Sequence, residues 1–142
     1  MINFLTGVQS TSSALAAERT RMEVISQNIA NANTTRTPEG GPYQRQHVVF
    51  ENVLNSKVAS DGLSGAASVH VARIENDPRG PKMIFNPSHP DANEKGMVAM
   101  PNINVHEEMA DLIASSRTFE ANLAVIKTAK NLAMQSLSIG KR

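Results

Sequence analysis

Met1, Val8, Leu15, Met22 and Ile29 recur at intervals of seven, with Phe4, Leu5, Ile25 and Ala32 beside them. Side chains at that spacing share one face of a helix, so the pattern is a helical stripe. Ala14, Ala16, Ala17, Glu18, Arg19, Arg21 and Glu23 favour helix, and neither Gly nor Pro occurs from Val8 to Thr37. The stripe predicts one helix of about 25 residues, about 37 Å long. It is expected to end in Asn31-Ala32-Asn33-Thr34-Thr35, where Asn tolerates a helix C-cap and consecutive threonines disfavour continuation.

A second stripe runs through Val105, Met109, Leu112, Ser116, Phe119, Leu123, Ile126, Lys130, Ala133 and Leu137, with spacings of four and three alternating and eight of the ten positions apolar. Its period of about 3.5 residues is that of helices that bury facing seams in a coiled coil. Asn104 is placed to cap this helix, Glu107 to complete a capping-box-like pair, and Gly140 to stop it. Glu107, Glu108 and Asp111 suit the positive end of the helix dipole, and Lys127, Lys130, Lys141 and Arg142 the other end. Lys130 interrupts the seam. Its stem can pack along the apolar edge with the ammonium in water, and the alternative is a specifying polar contact between helices.

Between the stripes the periodicity changes. Thr37-Pro38-Glu39-Gly40-Gly41-Pro42 is a turn-forming stretch that no regular element crosses. Residues 43–51 and 69–75 are enriched in β-branched and aromatic residues and read as strands, while residues 52–57 fit either state. The polar, Gly- and Ser-rich residues 59–68 link them. After Asp77-Pro78-Arg79-Gly80-Pro81 comes a short apolar run, Met83-Ile84-Phe85, and then Asn86-Pro87-Ser88-His89-Pro90-Asp91, whose prolines fix an irregular extended path. The fold class is therefore α+β: long N- and C-terminal helices paired as a coiled-coil-like stalk, with a small β-rich insert between them. Residues 1–36 and 104–142 are assigned to the discontinuous stalk and residues 37–103 to the insert.

Composition limits the stability of that arrangement. Aromatic residues make up 4% of the 142, with no Trp and one Tyr, so the core is expected to be modest. Ordering each backbone residue costs about 1 to 2 kcal/mol, against about 1.5 to 3 kcal/mol from burying a large apolar side chain. A lone helix pair is marginal, and Ile113, Val125 and Met134 lie off the main seam. Helices of neighbouring copies are expected to cover the remainder. In dilute protein, amides of residues 1–36 and 104–140 are accordingly expected to exchange fast while the middle is protected.

Charge and chemistry narrow the function. A formal net charge of +1, from 14 basic and 13 acidic residues, leaves no footprint for nucleic acid. No segment reaches the roughly 18 consecutive apolar residues of a membrane span, and no basic region followed by an apolar run opens the chain. There is no cysteine. His89, Asp91, His106 and Glu107 carry ligand and proton-transfer chemistry, but their spacing matches no established metal or acid/base site. No catalytic residue, cofactor or metal is assigned.

Ser26-Gln27-Asn28-Ile29-Ala30-Asn31-Ala32-Asn33-Thr34 resembles the N-terminal signature of flagellar rod, hook and hook-associated proteins. Ser115-Ser116-Arg117-Thr118-Phe119-Glu120-Ala121-Asn122 resembles the C-terminal motif of the same axial family, in which Tyr more often stands where Phe119 does. The 37–43 turn, the stretch from Asn86 to Ala92 and Pro101-Asn102-Ile103-Asn104 look like proximal-rod members of that family. The resemblance implies a structural subunit of the basal-body rod whose terminal helices form an inner tube with the β-rich insert outside. It implies self-association, contact with proximal and distal rod proteins and with the membrane-ring adaptor at the rod base, and export by the flagellar type III apparatus without a cleaved signal peptide.

Subunit-interface residues are expected along the stalk: Val8, Leu15, Met22, Ile25, Asn28, Ile29, Asn31 and Asn33 on the first helix, and Met109, Leu112, Arg117, Phe119, Asn122, Leu123, Ile126 and Lys130 on the second. Asn28 and Asn31, three apart, present amides from one helical face, which fits either helix-end chemistry or an intermolecular amide contact. The rival function is a coiled-coil adaptor or export chaperone that recognises its partner through the insert.

Overall fold

The computed structural model describes residues 2–54 and 67–140. Helix α1 spans Ile2–Ala30 and helix α2 spans Val105–Ile139, and the two pack against each other. Asn28 meets Glu108 and Glu18 meets Ser115, so the sequence advances in opposite senses along the pair and the helices are antiparallel. At 29 and 35 residues, both are longer than a lone amphipathic helix needs. Neither is long and apolar enough to cross a membrane.

Strands β1 (Gln46–Leu54) and β2 (Ala67–Asn76) form an antiparallel pair, with a register shift between Val49 and Phe50. Val48, Phe50, Val69, Val71 and Ile74 alternate onto its apolar side. The pair packs on α1. A second antiparallel pair joins β3 (Lys82–Phe85) to β4 (Met97–Met100). The two expected strands are present as β1 and β2 with slightly shifted ends, whereas β3, read as a short apolar run, and β4 were not expected as strands; β4 is the less legible. Only four residues long, it draws its order from pairing with Met83-Ile84-Phe85 rather than from local pattern. The proline-rich turn between them closes through Asn86 N–H to the Gly96 carbonyl at 2.8 Å, with Asn93 Oδ1 accepting the N–H groups of Lys95 and Met97. Most of the 59–68 linker lies outside the described residues.

One helix-end expectation needs adjustment. Asn104 caps α2 by accepting the His106 N–H at 3.2 Å, but Glu107 makes no reciprocal bond, so the capping box is half formed. The Thr37–Pro42 turn closes through Thr37 N–H to the Gly41 carbonyl at 2.9 Å, with Gly40 and Gly41 at φ of 91° and 79°.

The expected seams are rotated. On α1 the buried residues are Ala17, Val24, Ile25, Asn28 and, just past its end, Ala32, while Val8, Leu15, Met22 and Ile29 lie half-buried on the flank. On α2, Leu112, Phe119, Ile126 and Ala133 keep their partly buried places. The intervening inward positions are Glu108 and Ser115, each 1% exposed, not Met109 and Ser116. Met109 and Leu123 are 50% and 51% exposed, and Lys130 is exposed. The physical reason is polar: Glu108 and Ser115 have bonding partners on α1, and those directional contacts set the rotation of the helix that hydropathy alone assigned one residue away.

Candidate assembly interface

A buried polar junction holds the base of the helix pair. Asn28, 1% exposed, donates from Nδ2 to the Gln46 carbonyl at 2.8 Å and to Glu108 Oε2 at 3.1 Å. Its Oδ1 accepts the Gln46 N–H at 3.0 Å and the Tyr43 hydroxyl at 3.1 Å. All four hydrogen-bonding positions of the amide are thereby used. Arg45 Nε donates to Glu108 Oε1 at 2.6 Å and its Nη1 reaches Asp77 at 3.5 Å. Arg79 caps Asp77 through its backbone N–H at 3.0 Å and Nη2 at 2.6 Å, and these bonds hold the Asp77 carboxyl well below the usual carboxylate range. Burial, reinforced by the Glu108 charge, pushes the Tyr43 hydroxyl up from its ordinary value.

The junction does structural chemistry. Burying the Glu108 carboxylate is costly unless it is paired, and here one oxygen meets a guanidinium and the other an amide. Because the partners come from α1, α2 and the segment 43–46 leading into β1, both helices and the insert must be in place together. A second polar contact, from the Ser115 hydroxyl to the Glu18 carboxylate, lies on the same interhelical face.

The expected interface residues separate into groups. Ile25 and Asn28 are buried inside the chain. Val8, Leu15, Met22, Ile29, Asn31, Leu112, Phe119, Asn122 and Ile126 are half-buried, and Asn33, Met109, Arg117, Leu123 and Lys130 are exposed. The Asn28 amide is saturated within the chain. Asn31 performs helix-end chemistry, donating to the Gln27 carbonyl at 2.9 Å and accepting the Thr34 hydroxyl at 3.1 Å. Glu108, Arg45, Tyr43 and Gln46 were not singled out, since no local pattern joins positions that meet only across the fold. Outside the junction, α2 exposes Met109, Ile113, Leu123, Val125, Leu132 and Met134, each at least half exposed. They lie on two sides of the helix, Met109, Ile113, Leu123 and Met134 on one and Val125 and Leu132 on another, and leave large apolar side chains uncovered in the isolated chain.

The profile described as flagella basal body rod protein matches residues 9–36, and that described as flagellar basal body rod FlgEFG protein C-terminal matches residues 94–139. The flagellar basal-body rod protein FlgC of Borreliella burgdorferi is 39% identical, over 97% of this chain and 98% of that protein. FlgC of Bacillus subtilis is 38% identical over 92% and 94% of the two chains, and FlgC of Salmonella typhimurium 34% identical over 91% and 92%. The chain belongs to the FlgC family of flagellar basal-body rod proteins. In this FlgC-family chain both helical partners of the junction fall inside the matched segments: Glu18 and Asn28 in the first, Glu108 and Ser115 in the second. Tyr43, Arg45, Gln46 and Asp77 come from the stretch between the matched segments.

Proposed function

We propose that this chain is a non-catalytic structural subunit of the proximal rod that polymerises helically with its neighbours. Family membership supports a rod structural subunit of the flagellar basal body, and the exposed apolar surface of α2 is the single structural observation that carries polymerisation. A monomer gains by covering such a surface, and every copy presents it. On this reading residues 1–36 and 104–142 form a coiled-coil-like stalk in the inner tube and residues 37–103 lie outside it. The tube transmits torque across the periplasm and encloses the channel through which axial proteins are exported. Its partners are further rod proteins, the membrane-ring adaptor at the rod base, and the type III apparatus that exports the chain without a cleaved signal peptide.

The test is quantitative mass spectrometry of purified hook–basal bodies. A copy number comparable to that of a known rod component is expected. Reproducible absence from intact particles would overturn the assignment and leave the adaptor or chaperone reading.

A further inference from the structure

We infer that the last turns of α2 dock in a cleft at the opposite end of a second copy of this chain, a contact that rests on the rod-subunit reading. The cleft, of about 350 Å³, opens beside the polar junction between the helix pair and β1. Val24 and Ile25 line its helical wall, Val48 and Phe50 its strand wall, and its charged lining is the paired Arg45 and Glu108 together with Arg21 and Asp111. Phe50 is 38% exposed although it lies on the apolar side of its sheet. Asp111 forms no ion pair or side-chain hydrogen bond among the described residues.

The occupant is argued from α2. Lys130, Met134 and Leu137 stand at i, i+4 and i+7 and so share one helical face. Met134 and Leu137 are 62% and 67% exposed, and Lys130 has no partner among the described residues. One cation followed by two large apolar side chains complements Asp111, the lining carboxylate without an ion pair among the described residues, beside Val24, Ile25, Val48 and Phe50. Closure within one chain is excluded by length: Leu137 lies 29 residues along a continuous helix from Glu108 at the cleft, about 40 Å away. The occupant is therefore another molecule. Complementary patches at opposite ends of one subunit make a heterologous contact, which propagates into an open helical assembly instead of closing as a two-fold dimer.

The absence of native cysteine makes the test direct. Full-length chains carrying Phe50→Cys and Leu137→Cys are mixed and oxidised, with each chain alone and a Glu94→Cys plus Leu137→Cys mixture as controls. Disulfide-linked dimer is expected in the first mixture and not in the controls. It should be lost when the Leu137→Cys chain also carries Lys130→Asp, and regained when its partner carries Asp111→Lys. Dimer no more abundant than in the controls, or indifferent to both charge reversals, overturns the contact. Far-UV circular dichroism checks each variant's fold, and Val48→Cys with Met134→Cys repeats the test if either first variant misfolds. A failed cross-link with the chain present in basal bodies removes only this contact. Absence from basal bodies removes the rod reading itself.

Discussion

Replacing Asn28 by Asp tests the wiring of the junction with almost no change of shape. The acceptor oxygen facing Gln46 N–H and the Tyr43 hydroxyl is retained. The two donated bonds become oxygen–oxygen confrontations, with the Gln46 carbonyl at 2.8 Å and Glu108 Oε2 at 3.1 Å. Two carboxylates about 3 Å apart repel by about 5 kcal/mol at an effective dielectric near 20. Protonating one of them caps that penalty. From an ordinary carboxyl pKa near 4, at 1.36 kcal/mol per pH unit, protonation costs about 4 kcal/mol at neutral pH. Losing the bond to Gln46 adds about 1 kcal/mol. Asn28→Asp is therefore expected to destabilise by about 4 to 5 kcal/mol at neutral pH. The pair's folded-state pKa is raised, so the penalty is full at and above it and shrinks as pH falls below it towards the unfolded value near 4, leaving about 2 kcal/mol near pH 5. Urea unfolding followed by far-UV circular dichroism measures both, with wild type as reference at each pH. If native stability is smaller than the loss, the variant should lose helical signal at neutral pH and regain it on acidification. Equal wild-type and variant midpoints at neutral pH, or a deficit that does not shrink in acid, would refute the reasoning.

The depressed Asp77 carboxyl contributes stability that is present above its unfolded pKa of about 4 and lost as pH falls below it, so Asp77→Asn should flatten the acid limb of a stability–pH curve. Gly96→Ala should cost about 1 to 2 kcal/mol in thermal unfolding, because φ is 72° there; the Phe85 ring, 3.0 Å from the added Cβ, is 69% exposed and can swing aside. Ser115→Ala should cost only about 1 kcal/mol in urea midpoint, since Glu18 is close to Arg21 and retains access to water. Hydrogen exchange of dilute monomer should grade along the stalk, with protection around Asn28 and Glu108 falling toward residues 123–139, where Leu123, Val125, Leu132, Met134, Leu137 and Ile139 are all more than half exposed. Uniformly fast exchange across both helices would contradict that gradient.

The helices were legible because their periodicity is local and long, and the first strand pair because β-branched residues cluster at its positions. The rotation of the helices was not. Val105, Leu112, Phe119, Ile126 and Ala133 belong to both available α2 faces, so the alternating positions decide between them, and hydropathy favours Met109 and Leu123 over Glu108 and Asn122. The protein takes the less apolar face inward because Asn28, Arg45 and Glu18 supply partners there, and no sequence separation announces that Arg45 and Glu108 will meet. Asn28 was legible as special, but not that its amide is turned to Gln46 and Glu108 of its own chain. Local pattern thus reveals which segments form elements, while the junction depends on contacts between residues up to 80 positions apart.

That inversion has a consequence for assembly. Turning Glu108 and Ser115 inward beside Leu112, Phe119 and Ile126 leaves Met109 and Leu123 outward, open to a neighbour. Area alone would define the intramolecular register poorly, because Ala17, Ala133 and Ser115 offer little shape to interlock. Directional bonds define it instead: a helix slid by one heptad, about 10 Å, would leave Glu108 without Asn28 and Arg45 and strand a buried carboxylate. The junction thus separates two tasks that a wholly apolar seam would confound. Polar contacts select one register inside the chain, and the exposed apolar residues of α2 remain free for the association proposed above. Since Asn28 is also bonded to Gln46 and Tyr43, the insert is oriented by the same residue that registers the helices, and a subunit presents its outward apolar residues only when its side domain is already in place.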